Sequence, residues 1–206
     1  MDLAGLAFVN PWWSDKSAIN RDEKVALVEK APVKSTPTLE INPGNVYVLR
    51  GPRQVGKTTF LKLKIKQMLE AESREPKSIL YYSCDQFKKP EQLNKLLETY
   101  TKWCADQGIS PTAIFLDEVT TTTEWASVVK HVKNTGAIGN AAIIVTGSNS
   151  VDLKHGAERL PGRGIEGNEY FHYPVCFRSF CELMGKKMPP SVKIGELLLN
   201  QKNKKF

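Results

Sequence analysis

The sequence predicts an α/β fold of three layers, with a five-stranded, mainly parallel sheet between two layers of helices. Three observations carry this reading. From residue 45 onward, short and continuously apolar runs alternate with longer amphipathic segments. That is the pattern of strands buried on both faces and joined by helical crossovers. A loop reading Gly51-Pro-Arg-Gln-Val-Gly-Lys-Thr58 lies between the first apolar run and the first amphipathic one. Two acids, Asp117 and Glu118, directly follow the third apolar run.

The elements follow in order. Residues 1–40 read as an N-terminal extension, with an extended lead-in, a helix over 21–31 and a linker, Ala-Pro-Val-Lys-Ser-Thr-Pro-Thr. Trp12 and Trp13 need an apolar partner, which is either the core or the adenine of a bound nucleotide. The first strand spans 45–49. The helix over 57–72 presents Phe60, Leu61, Leu63, Ile65, Met68 and Leu69 between lysines. The second strand covers 78–83. Pro90 opens a helix that runs to about Gln107, with Gly108 as its stop. The third strand is 112–116. A loop of threonines at 120–123 follows, with Thr123 as the cap of a helix over 124–134. The fourth strand is 141–146, the fifth 169–173, and a last helix spans 177–184. An α/β domain is expected over 41–185, followed by a basic segment at 186–206. There are no repeats or heptads.

Composition narrows the function classes. The 206 residues are 41% hydrophobic and 25% charged, and no run approaches the roughly 20 apolar residues of a membrane span. The N-terminus carries an acid early and lacks a basic lead, so it makes a poor signal peptide. A cytoplasmic location is expected, with no membrane partner. Cys84, Cys104, Cys176 and Cys181 form no C-x-x-C pair and read as reduced, partly buried thiols rather than metal ligands. The net charge is +7. Residues 186–206 hold six lysines against one glutamate, leaving a nearly neutral body of 23 basic and 21 acidic residues. The excess reads as a solvated tail. A nucleic-acid contact stays open, without the interleaved aromatic and basic residues that would support it.

The 51–58 loop matches G-x-x-x-x-G-K-[ST], the phosphate-binding P-loop. Gly51 and Gly56 let the backbone curl so that successive N–H groups face phosphate oxygens. Pro52, Arg53, Gln54 and Val55 supply the arc between them, and Thr59 continues the helix start. Lys57 brings a compact cation for the β- and γ-phosphates, and Thr58 a hydroxyl for Mg²⁺. Strand before and helix after are the context that such a loop requires.

Asp117 and Glu118 stand 60 residues beyond Lys57, with one βα unit between. An acid pair at the carboxyl end of a parallel strand resembles a Walker B motif. Asp117 is the candidate Mg²⁺ ligand, and Glu118 the residue that orients and activates water. The fourth strand ends in Thr146-Gly-Ser-Asn-Ser150. A polar side chain there can contact the γ-phosphate. Ser148 is taken as the candidate, and Asn149 qualifies beside it. Arg163, flanked by glycines, reads either as a mobile guanidinium for transition-state charge, in its own chain or a neighbour's, or as an exposed turn residue. Asp85 reads as a loop acid.

Asn10-Pro-Trp-Trp13, Leu49–Thr59, Phe115-Leu-Asp-Glu-Val119, Val145-Thr-Gly-Ser148, Pro161-Gly-Arg-Gly164 and Phe177-Arg-Ser-Phe180 occur in that order in a prokaryotic, often archaeal, family of AAA-superfamily ATPases. The resemblance covers about residues 8–185. It implies a P-loop NTPase fold of the AAA/ASCE kind, binding of ATP or ADP with Mg²⁺, and ATP hydrolysis that drives a partner domain. Members typically add a C-terminal domain with nuclease-like or winged-helix-like features, which this chain is expected to lack. A homo-oligomer remains open. The alternatives are a P-loop kinase of a small molecule or nucleotide, which needs an acceptor pocket, and a nucleic-acid-associated regulatory ATPase. The adjacent acids favour water activation over transfer to an acceptor. No Asn-Lys-x-Asp motif suggests guanine recognition.

Overall fold

The computed structural model describes residues 2–30, 38–148, 153, 155–156 and 168–190. Residues 1–174 form one compact unit and 175–206 a second. Within the first unit, strands β1 (Val46–Arg50), β2 (Ile79–Ser83), β3 (Ala113–Asp117), β4 (Ala142–Thr146) and β5 (Glu169–Phe171) build one parallel sheet in the order β2-β3-β4-β1-β5. Every residue of β3 and β4 is buried, as continuously apolar sequence requires of strands covered on both faces.

Parallel neighbours need crossovers, and three helices supply those from β1 to β4: α3 (Lys57–Glu70), α4 (Pro90–Asp106) and α5 (Trp125–Asn134). The chain steps from β1 out to β2 and then back through β3 to β4. Right-handed crossovers therefore place α3 on one face, and α4 with α5 on the other. Pro90 opens α4, Gln92 Oε1 accepts the backbone N–H groups of Lys88 and Lys89, and Gly108 follows its end at φ +65°. The strands start within one residue of the sequence reading. β5 stops two residues early, at Phe171, because its partner β1 ends at Arg50 and turns into the 51–58 loop. Thr123 does not cap α5: Glu124 takes the N-cap position in left-handed backbone, and Thr123 Oγ1 donates to Lys88 O.

The N-terminal segment departs most from expectation. It is not an extended lead-in but a series of short helices: α1 (Leu3–Val9), 3₁₀ turns at Pro11–Trp13 and Lys16–Arg21, and α2 (Glu23–Glu29). Asp22 caps α2 by accepting from the N–H groups of Lys24 and Val25. This segment covers the open edge of β2. Asn10 Oδ1 accepts from Tyr81 N at 2.7 Å, while its Nδ2 donates to Leu6 O at 2.8 Å. The indoles of Trp12 and Trp13 both donate to Ile79 O, at 3.2 and 2.8 Å. An exposed strand edge is a row of unpaired backbone groups that invites aggregation, and here three side chains from one tetrapeptide satisfy it. The two rings also straddle the edge. Trp13 stacks on Trp103 and Tyr100 of α4, and Trp12 lies beside Lys62 of α3. Core packing is thus the role the structure gives both indoles.

In the second unit, Cys176 caps a short helix α6 (Phe177–Leu183). Cys84 and Cys104 are buried, Cys181 is half-buried and Cys176 is exposed; all four are free thiols.

Asn10→Ala leaves the Tyr81 N–H without its side-chain acceptor, while Leu6 C=O keeps the backbone N–H of residue 10. A buried donor left unpaired costs about 1–3 kcal/mol, so urea unfolding of the variant is expected to give a stability lower by about 1 kcal/mol or more. An unchanged midpoint contradicts the edge-covering role.

Candidate functional site

The 51–58 loop leaves the end of β1 and turns into α3. Gly56 is the N-cap of α3 at φ +95°, a backbone region glycine enters without steric cost. At Gly51 a Cβ would meet the carbonyl oxygen of His172 at 2.4 Å, so only glycine lets the loop pass the chain that leaves β5. Pro52, Arg53 and Gln54 are exposed, while Val55, Gly56, Thr58 and Thr59 are half-buried. Lys57 is buried, and its Nζ donates to Gly51 O at 3.0 Å and Pro52 O at 2.8 Å. The loop is closed around its own ammonium. With the unpaired N–H groups of the first turn of α3 and the positive end of its dipole, the loop suits an anion.

Asp117 ends β3 with only 2% of its surface exposed. Three hydroxyls converge on its carboxylate. Thr58 Oγ1 donates to Oδ2 at 2.7 Å, Tyr81 OH donates to the same oxygen at 3.2 Å, and Thr146 Oγ1 donates to Oδ1. No ion pair among the described residues reaches this carboxylate, so hydroxyl donors do the work of stabilising it. Glu118 is half-buried and takes left-handed backbone at φ +53°. Its N–H donates to Thr146 Oγ1 at 3.3 Å. Non-glycine residues adopt that conformation at a cost of about 1–3 kcal/mol, and such residues concentrate at functional positions.

The structure therefore brings Lys57, Thr58, Asp117 and Glu118 together at the carboxyl ends of β1 and β3. Ser148 follows β4 at the same end of the sheet and is half-buried. Gly147 before it packs so closely on Thr120 that a Cβ would lie 2.5 Å from the threonine methyl. Arg163 and Asn149 lie outside the described residues. Asp85 is exposed. A hydroxyl and a carboxylate in direct contact are the hard oxygen donors that Mg²⁺ prefers, so Thr58 and Asp117 fit that ion. Among the described residues no group of three or more His, Cys, Asp or Glu side chains could hold another metal.

The sequence reading placed Thr146 at the tip of the fourth strand without its bond to Asp117, and it missed two residues of this neighbourhood, Tyr81 and His172. Tyr81 sits inside an apolar strand. His172 lies just beyond β5, where its N–H donates to Arg50 O at 2.7 Å. Its ring meets Phe60 edge-on at 5.4 Å and lies against Gly56. Burial pushes the imidazole pKa below its ordinary value. The Lys57 ammonium pushes the same way, and a bond to the Val55 backbone opposes both.

The model of the AAA domain family matches residues 43–181. No curated protein matches the chain. Among solved structures it is similar to Cdc6p from Pyrobaculum aerophilum, with 10% identity and a TM-score of 0.48, over 87% of this chain and 48% of that one. It is similar to the Orc1 protein of Aeropyrum pernix, solved in complex with DNA, with 16% identity and a TM-score of 0.46, over 95% and 52%. PCH-2 of C. elegans aligns with 10% identity and a TM-score of 0.45, over 93% and 50%. The chain spans about half the length of these proteins. No described helix is long and apolar enough to cross a membrane. The match over residues 43–181, on a five-stranded parallel sheet with a glycine loop between β1 and α3, places the chain in the AAA domain family of P-loop ATPases.

Proposed function

We propose that the chain binds ATP with Mg²⁺ on the 51–58 loop, hydrolyses it, and couples its nucleotide state to a partner domain. The observation that carries this reading is the 2.7 Å contact between Thr58 and the buried Asp117. It joins the first turn of the loop helix to the acid at the end of β3, where a triphosphate and its cation would meet. Thr58 and Asp117 would hold Mg²⁺, whose chemistry is to neutralise charge on the β- and γ-phosphate oxygens. Lys57, whose ammonium bonds the Gly51 and Pro52 carbonyls, would serve the same oxygens. Glu118, next to the metal-facing acid on a sharply turned backbone, orients and deprotonates the attacking water. Ser148 is the proposed sensor of the γ-phosphate, and Arg163 the proposed arginine for transition-state charge, in its own chain or a neighbour's.

Lys57→Ala is expected to weaken ATP binding at least tenfold in calorimetry; equal affinity rules out the loop as the binding site. Glu118→Gln is expected to bind ATP as the wild type does and to lose turnover by orders of magnitude. Hydrolysis at the wild-type rate would remove Glu118 from the reaction.

His172 adds a pH dependence. Without nucleotide, burial and Lys57 favour neutral imidazole. Phosphates bound beside Lys57 favour imidazolium, so binding draws a proton onto the ring. ATP affinity therefore rises as pH falls through the range in which the imidazole of the free protein takes up its proton. His172→Gln flattens this dependence relative to wild type in parallel calorimetric titrations. Protonation of the phosphate itself is common to both proteins and cancels in the comparison. Superimposable profiles would separate His172 from the bound phosphates.

A further inference from the structure

A buried chain of side chains runs from the N-terminal segment to Asp117, and none of it belongs to the 51–58 loop or the acid pair. Lys62, on α3, is only 8% exposed. Its Nζ stands 3.6 Å from the centroid of the Tyr81 ring, 5.2 Å from that of Trp12, and 3.5 Å from Asp22 Oδ2. A desolvated ammonium over an aromatic face is a strong cation–π contact. Tyr81 in turn donates its hydroxyl to Asp117 Oδ2, the oxygen that also accepts from Thr58. The backbone of Tyr81 is fixed as well, by Asn10 Oδ1 on its N–H.

We propose that Tyr81 is a positioning residue of the nucleotide site. It orients the Asp117 carboxylate for the divalent cation, and Lys62, held by Asp22 and Trp12, sets the Tyr81 ring. The inference rests on the ATP–Mg²⁺ reading above and deepens it. A cation against the ring face draws electron density from the phenol and makes its O–H a better donor. With Thr58 and Tyr81 sharing Oδ2 and Thr146 on Oδ1, both carboxylate oxygens are tethered and rotation about the carboxylate axis is blocked. Partners beyond the direct ligands that fix a metal-binding carboxylate in this way are typically worth about 10–100-fold in metal affinity.

The test uses the full chain with ADP and Mn²⁺, following bound Mn²⁺ by loss of the free-ion EPR signal. Turnover against Mg²⁺ concentration is measured alongside. Tyr81→Phe removes one oxygen and keeps the ring; its thermal midpoint in EDTA reports that the fold persists. The variant is expected to bind ADP as wild type does in EDTA. It should bind Mn²⁺ about tenfold more weakly and need correspondingly more Mg²⁺ for half-maximal turnover. Lys62→Met shifts both in the same direction by less. The double variant is no weaker toward Mn²⁺ than Tyr81→Phe alone, because Lys62 acts through the ring. Wild-type Mn²⁺ affinity in Tyr81→Phe overturns the role of Tyr81, and additive losses in the double variant overturn the role of Lys62. A wild-type protein with no cation-dependent nucleotide binding overturns the ATPase reading and this inference together.

Discussion

A carboxylate removed from water is tolerable only when its oxygens are satisfied, and the geometry of the site follows from meeting that demand at Asp117. No ion pair forms with it among the described residues, so three hydroxyls from three separate elements satisfy its oxygens. Thr58 comes from the start of α3, Tyr81 from β2 and Thr146 from β4. Each hydroxyl arrives only if its element sits in the observed register, with Ser83 opposite Asp117 on one side and Leu116 opposite Val145 on the other. Strand register and site geometry are therefore one constraint. A one-residue slip of β2 or β4 turns the hydroxyl to the other face of the sheet and leaves a buried charge unpaired, at a cost of several kcal/mol.

The same constraint explains why β2, an edge strand, is so firmly held. Its outer backbone groups have no neighbouring strand, yet Tyr81 must keep its position to serve Asp117. The tetrapeptide Asn10–Trp13 fills the place of a sixth strand with side-chain donors and an acceptor at Ile79 and Tyr81. Indoles suit this work because one N–H serves the carbonyl while the ring adds apolar area on the sheet's flanks. The N-terminal segment is thereby part of the core that supports the site, not an appendage to it.

How much of this the sequence disclosed depends on the range of the interaction concerned. β1 to β4 were legible within a residue, because continuous apolar runs have few other readings in a chain of this length. The glycine loop was legible because a backbone that must pass His172 and enter a helix at φ +95° admits few residue types. The α1 helix was hidden. Leu3-Ala-Gly-Leu-Ala-Phe-Val is short, contains a glycine, and is held by burial of Leu6 rather than by its own propensity. Tyr81, His172 and the part Thr146 plays beneath the strand tip were hidden for another reason. Their hydroxyls and imidazole matter only through what cross-strand register places beside them, and an isolated strand pattern records nothing of its neighbours.

The arrangement around Thr146 shows how the end of β4 can report on both acids. Its hydroxyl is used twice, donating to Asp117 and accepting from the N–H of Glu118. The candidate metal ligand and the candidate water-activating residue thus share a single tether. One residue further, Gly147 is wedged against Thr120, in the turn that Glu118 begins, with no room for a side chain between them. A displacement of Ser148 would pass through Gly147 to Thr146 and to Thr120, on which Gly147 packs. Close-packed interiors transmit such shifts because they cannot deform continuously. A contact between the strand tip and a terminal phosphate would consequently bear on the geometry of Asp117 and Glu118 together, the property a nucleotide-sensing strand requires.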